Sequence, residues 1–351
     1  MRLADAALPW FARHETFHPR YGWFRKAYTE TARNSDVFGR DDAPVVIGVG
    51  KNMVRAIRFW GLAAKLITND PESPNRRAPG YIPTWRGHAL FGEQGWDPYM
   101  EDPGTLWLLH WLLLAPCSCL PVWWSIFNEF DAVEFDEADL EAAIAIHLEA
   151  VAEWRSPHPS SVKKDLGAFL RTYAPAEQSG RVGFDDLVDC PLRELSLLRR
   201  SPATGRYRFT LGPKPTLPSE IVAHAALDYV ARTVAGGSTV TLSRLAHEAG
   251  SPGRAFKLSE AELLAVLTDA LARTDGADIM TPTGASQLVW SEDPAITATA
   301  ILDDYYGSAA PRICAGPEGD EAVSKDVRDN LWVRATLAEP MSRARALSGQ
   351  C

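Results

Sequence analysis

Two short stretches of the chain carry residue types suited to chemistry on a phosphodiester. The first, Arg13-His14-Glu15-Thr16-Phe17-His18-Pro19-Arg20, gathers two histidines, a carboxylate and two arginines, with Arg25 and Lys26 one helical turn further on. Histidine serves as a general base or acid, a carboxylate holds a divalent cation, and arginine stabilises negative charge developing on phosphate. In that scheme His14 moves the proton, Glu15 binds a divalent metal (magnesium or manganese) and Arg20 meets the phosphate, giving hydrolysis at phosphorus. A plainer reading has Arg20 and Lys26 bind phosphates while His14 and Glu15 brace the fold. The letters H-E-x-x-H also match a zinc-protease motif, which needs both histidines on one helix face. Pro19 directly after His18 drives His18 out of helical geometry, so no zinc is expected.

The second stretch is Gly48-Val49-Gly50-Lys51-Asn52-Met53-Val54-Arg55-Ala56-Ile57-Arg58-Phe59-Trp60. Continued to Ile67, its apolar residues Met53, Ile57, Trp60 and Ala64 form one stripe of a helix. Lys51, Arg55 and Arg58 stand four and three residues apart, so they share the opposite face. Lys51 falls in the first turn, where the helix dipole disfavours a cation unless an anion such as phosphate is bound there. Asn52 is a residue type that reads an adenine edge. With Arg13, Arg25 and Lys26, these side chains are the expected DNA contacts. Gly50-Lys51 is no nucleotide-binding loop, because Val45 and Asn52 stand where a glycine and a Ser or Thr are required.

The elements that must position these residues fall into regions. Residues 1–100 read as a basic winged-helix-like module, whose Pro/Gly/Arg-rich stretch 71–80 followed by Tyr81–Trp85 reads as a loop and a short strand pair, the shape of a wing. Residues 101–215 read as a helical middle region, with helical spacing over Asp136–Trp154 and Val162–Tyr173 and strand alternation over Arg206–Leu211. Residues 216–310 give helix, short β-branched run, helix, turn, helix and wing, with a Ser259–Glu262 capping box. Residues 311–351 read as a C-terminal tail. The expected fold is mainly α with short β-ribbons, two winged-helix-like modules joined by a helical region. The apolar run Leu106–Trp124 contains His110, Pro116, Ser118 and Pro121, and reads as a buried core helix followed by an apolar loop, not a membrane span.

Charge separates the modules. From Trp10 to Phe91 there are thirteen Lys and Arg against seven Asp and Glu, a balance of +6, while the whole chain of 351 residues carries −9. Ser219–Asp293 has five basic against ten acidic residues, which suits a partner-binding or homodimerising module better than a DNA reader. The five cysteines follow no disulfide framework, and the first residues lack the order of a signal peptide, so a cytoplasmic protein is expected.

Phe11-Ala12-Arg13-His14-Glu15-Thr16-Phe17, Arg20-Tyr21-Gly22-Trp23, Gly48–Val54 and Ser251-Pro252-Gly253-Arg254-Ala255-Phe256 resemble the SspB family of bacterial single-stranded DNA phosphorothioation systems, formerly a family of unknown function. The resemblance spans nearly the whole chain. It implies a DNA-nicking role in phage defence and partnership with a cysteine desulfurase, an ATP-dependent sulfur-inserting enzyme and an ATPase. It carries over His14, Glu15, Arg20 and Lys51 as positions of interest. The family pattern has no recognisable nuclease motif. A non-catalytic DNA-binding adaptor or regulator that recruits the modification enzymes is therefore the alternative expectation.

Overall fold

A computed structural model describes residues 1–75, 79–175 and 190–307; the expected tail from 311 lies outside the described residues. Apolar spacing and caps place most helix starts. Asp136 and Asp139, and Ser259 and Glu262, form reciprocal capping boxes, and Thr84, Asp102 and Ser251 each accept a backbone N–H of the turn they open.

The first third contains α1 (Leu3–Ala6), α2 (Trp23–Arg33), α3 (Ala43–Ile47) and α4 (Lys51–Ala63). Strands β1 (Ile67–Asn69) and β2 (Tyr81–Pro83) follow, antiparallel with Ile67 opposite Pro83 and Asn69 opposite Tyr81, then α5 (Trp85–Phe91). Gly61 lets α4 lie close on α2: a Cβ there would stand 2.6 Å from the Cβ of Ala27.

The centre is α6 (Pro103–Leu114) and α7 (Pro121–Asn128), both buried on every side, which is the signature of a core helix. They contain most of the apolar run Leu106–Trp124, whose second part is helical from Pro121 and not the expected loop. No helix among the described residues is long and apolar enough to cross a membrane. His110 sits wholly inside, its Nδ1 2.8 Å from the Tyr173 hydroxyl and its Nε2 3.0 Å from the Ala255 carbonyl. Burial pushes it down to about 4, so it is a neutral core residue at pH 7. Around this centre lie α8 (Glu137–Glu149), α9 (Pro159–Tyr173) and the antiparallel pair β3 (Leu198–Arg200) and β4 (Tyr207–Phe209).

The last third runs α10 (Ser219–Thr233), β5 (Thr239–Thr241), α11 (Leu242–His247), α12 (Pro252–Phe256), α13 (Glu260–Leu271), β6 (Ala277–Met280), β7 (Gln287–Trp290) and α14 (Pro294–Gly307), with sheet order β5-β7-β6. The described residues are thus mainly helical with small antiparallel sheets. One apolar cluster runs from Trp23 to Tyr306, so all three regions share a core.

A buried charge network ties first third to last. Asp228 on α10 accepts from Arg232 at 2.7 Å and from the Trp111 indole of α6 at 3.0 Å, with Arg86 of α5 4.0 Å away. Burial alone would raise the Asp228 carboxyl, but Arg232, His224 and Arg86 outweigh it and hold the group well below the usual carboxylate range. Burial lowers Arg86 to about 10 despite Asp228, so it stays charged at pH 7. Removing one partner strands the other charges. Asp228→Ala is expected to cost about 3–5 kcal/mol at pH 7, read as a lower urea midpoint. Because the folded carboxyl lies below its unfolded value near 3.9, its stabilisation is present at neutral pH and lost as pH falls below about 4. The gap between variant and parent should narrow there; an Asp228→Ala protein within about 1 kcal/mol of the parent at pH 7 contradicts this account.

Candidate nucleic-acid interface

The local sequence sets the exposed face of α4. Gly48 ends α3 at φ +73°, a left-handed turn that glycine adopts without strain, and Gly50 starts α4 with no side-chain cap and no acidic residue in its first turn. The first-turn N–H groups are left for solvent or an anion, beside Lys51. Lys51, Asn52 and Arg55 are exposed, whereas Ile57, Trp60 and Ala64 are fully buried and Met53 is half-buried. Arg58 is half-buried with its guanidinium 5.6 Å above the Tyr81 ring of β2, which ties the helix to the hairpin.

The remaining expected cations divide by role. Arg13 is exposed. Arg25 stacks 4.3 Å over the Tyr99 ring, and Lys26 donates to the Ile47 carbonyl at 2.8 Å, joining α2 to the end of α3. Arg20 lies 5.7 Å from the Phe17 ring and 5.6 Å from the Trp23 ring, and borders an open cleft of about 460 Å³ with Lys163, Lys164 and Arg171 of α9.

Residues 11–18 are turn, not helix, so His14 and His18 do not share a helix face. His14 is 1% exposed, its Nε2 2.6 Å from Asp165 of α9, and its ring stacks on Trp60 and meets Phe59 and Trp123 edge to face. The same carboxylate oxygen accepts the Ala12 N–H at 2.9 Å. Burial raises the Asp165 carboxyl, and the bonds from His14 and Ala12 offset part of that. In this conformation the imidazole meets Asp165 and three aromatic rings, and presents no base to a phosphate at the surface.

Ala12, Glu15 and Thr16 have φ of +55°, +51° and +69°, a left-handed backbone that costs on the order of 1–3 kcal/mol per non-glycine residue. Three bonds hold the loop in it: the Ala12–Asp165 bond, Trp60 Nε1 to the Phe17 carbonyl at 3.1 Å, and Arg171 to the Thr16 carbonyl at 2.8 Å. The result turns His14 inward and places Glu15 outward, 3.4 Å from Arg55. The structure therefore brings Glu15 to the basic face of α4 and Arg20 to the cleft, and sends His14 into the core. Among the described residues no group of three or more His, Cys, Asp or Glu gathers as a metal site.

Sequence reasoning missed Asp165, Lys163, Lys164 and Arg171. A signal existed for Asp165, since it shares the inward face of α9 with Val162, Leu166 and Phe169, and a carboxylate is rarely buried unpaired.

Helices around one apolar core thus carry a basic α4 and a strained loop at its side. The profile described as protein of unknown function (DUF4007) matches residues 11–306. Two solved structures are similar over nearly the full length. A magnesium ion-bound SspB crystal structure shares 36% identity at TM-score 0.86, covering 99% of this chain and 98% of that one. An SspB crystal structure shares 37% at TM-score 0.85, covering 99% of each. The chain belongs to the SspB family. A search of the curated proteins found no match.

His14 and Asp165 should behave as one unit. A double-mutant cycle of His14→Ala and Asp165→Ala, read by urea unfolding, should show a coupling of about 1–3 kcal/mol; additivity within about 0.3 kcal/mol contradicts the pairing.

Proposed function

We propose that the protein binds DNA through the exposed face of α4 and acts in a bacterial phosphorothioation system by nicking one strand, so that a sulfur-inserting enzyme reaches the backbone. The carrying observation is the exposed set Lys51, Asn52 and Arg55 at the uncapped start of a 13-residue helix whose other side is core. In this reading helix α3, the Gly48-Val49-Gly50 turn and α4 would serve as the helix-turn-helix and the β1–β2 pair as its wing. Backbone phosphates meet the first-turn N–H groups and the two cations, and Asn52 faces a base edge.

The chemistry would be hydrolysis at phosphorus. Magnesium binds proteins through one or two carboxylates, with water and substrate phosphate completing its shell, and Glu15 is a surface carboxylate of that kind beside Arg55. When bound there the ion would neutralise charge on the phosphate and orient water. Arg20 would hold the phosphate. His14, through Asp165, would keep the strained loop in place, and so position Glu15 instead of exchanging protons with DNA. The similarity to a magnesium-bound SspB supports the metal. The last third carries the excess acid and would dock the partners: a second copy, the cysteine desulfurase, the ATP-dependent sulfur-inserting enzyme or the ATPase.

Two observations favour a second reading, a non-catalytic adaptor that recruits the modification enzymes: His14 faces the core, and the described residues hold no ready metal cluster. Supercoiled plasmid with magnesium or manganese separates the two. Nicking abolished in Glu15→Gln with DNA affinity kept supports the nickase; DNA binding with no nicks at any metal supports the adaptor. Under either reading, Lys51→Ala with Arg55→Ala should weaken duplex affinity roughly tenfold or more and reduce the salt slope by about two. Unchanged affinity would overturn DNA binding by α4.

A further inference from the structure

The chain has 13 phenylalanines, 12 tryptophans and 9 tyrosines, and among the described residues only two of these rings are exposed, Tyr21 and Tyr99. They stand together. The Tyr21 hydroxyl donates to the carbonyl of Met100, the residue after Tyr99, at 3.1 Å. Single apolar residues scattered over a surface are ordinary, whereas exposed rings gathered at one point mark a place of recognition.

Each ring is held in place. Arg25 of α2 lays its guanidinium 4.3 Å over one face of the Tyr99 ring, so the 62% exposure of that residue belongs to its other face and its edges. The loop beneath is fixed as well. Met100 is buried with its backbone left-handed at φ +56°, a conformation that a residue with a Cβ keeps only where its neighbours impose it. Here the Met100 N–H donates to the Asp97 carbonyl. The Asp97 carboxylate accepts the Glu101 and Asp102 N–H groups at 2.9 and 3.0 Å and the Thr105 hydroxyl at 2.7 Å. Rings fixed in this way at the surface need little further ordering when a ligand stacks on them.

The surroundings indicate what would stack there. Lys26, next to Arg25 in α2, donates to the Ile47 carbonyl just before the turn into α4, so the rings lie one helix away from Lys51 and the proposed duplex surface. Burial, and then the charges of Glu194, Asp97 and Glu101, raise the Tyr21 hydroxyl, which stays a neutral donor at a negative edge of the patch. That edge turns backbone phosphate toward Arg25 and leaves the ring faces to uncharged groups. Bases in a duplex are already stacked on their neighbours, whereas those of an opened strand offer uncharged faces to an aromatic ring. We propose that Tyr21 and Tyr99 form a stacking platform for the bases of an unpaired DNA strand, with its phosphates on the Arg25 side, while α4 grips the adjoining duplex. This platform rests on the DNA-binding reading of α4 and adds to it a separate place for the opened strand.

The test is fluorescence anisotropy of the full chain with a dye-labelled single-stranded oligonucleotide and with a hairpin duplex, over a range of salt. Tyr99→Ala and Tyr21→Ala should each lower single-strand affinity about tenfold, with duplex affinity changed less than about threefold. Tyr99→Phe should bind as the parent does, because the ring face remains. Tyr99→Leu, apolar without a ring, should lose affinity as alanine does. The salt slope of single-strand binding should be the same in Tyr99→Ala as in the parent, since the ring carries no charge. Lys51→Ala with Arg55→Ala should instead weaken duplex binding and flatten its slope. If duplex binding depends on Lys51 and Arg55 but Tyr99→Ala holds the single strand as the parent does, the platform falls and DNA binding by α4 stands. Equal losses on both DNA forms, or leucine serving as well as phenylalanine, also overturn it. A parent dimer seen by light scattering and split by Tyr99→Ala, with single-strand affinity kept, makes the patch a protein interface instead. If the parent binds neither DNA form, the platform and the DNA-binding reading fall together.

Discussion

The bond between His14 and Asp165, buried against Trp60, Phe59 and Trp123, is the constraint on which the N-terminal surface depends. It joins a loop with no regular structure to α9 and, through the aromatic stack, to the buried side of α4. Without it nothing in the 11–18 segment would justify three non-glycine residues in the left-handed region. Strain of that kind persists only where the surroundings over-determine it, and here an inward histidine, a tryptophan N–H and an arginine each fix one point of the loop. Glu15 faces α4 and Thr16 rims the cleft as a consequence. A histidine that is itself out of reach of solvent thus arranges the exposed residues of its loop.

The same economy governs charge across the molecule. Where carboxylates must be inside, they are paired: Asp165 with His14, and Asp228 with Arg232, Arg86 and an indole N–H. Where cations stand outside on α4 and α9, their own helices offer no acidic neighbour at three or four residues. Against the +6 of Trp10–Phe91, the rest of the chain sums to −15, which leaves the basic side as the place where an anion is welcome. That division suits a protein that holds DNA on one side and other proteins on another.

Elements set by local rules were readable from the sequence. Helix α4 lies within the expected stretch with its stripe inward, β1 and β2 pair on either side of the expected loop, and the capping box at Ser259 starts α13. In Leu106–Trp124 the core helix was readable, but the expected apolar loop after it turns helical again at Pro121, where proline fits the first turn of a helix. What stayed hidden was non-local. His14 sits on no periodic element, so its inward direction could not be read from spacing, and its partner lies 151 residues away. The cleft needs α9 brought beside the loop, which no pattern within either segment announces. Helix α14 was missed because Ala295–Leu302 alternates β-branched residues with alanine, a mixture that gives no strong helical period; its packing against α10 supplies what propensity does not.

DNA bound as proposed would lie on the α4 and loop side of the molecule and not on the acidic last third. Photo-crosslinking reads this directly, with a photoreactive side chain placed at Asn52 in one protein and at the exposed Met280 of β6 in another. The account predicts a covalent adduct to DNA from position 52 and none from position 280. Adducts from 280 with none from 52 would contradict it.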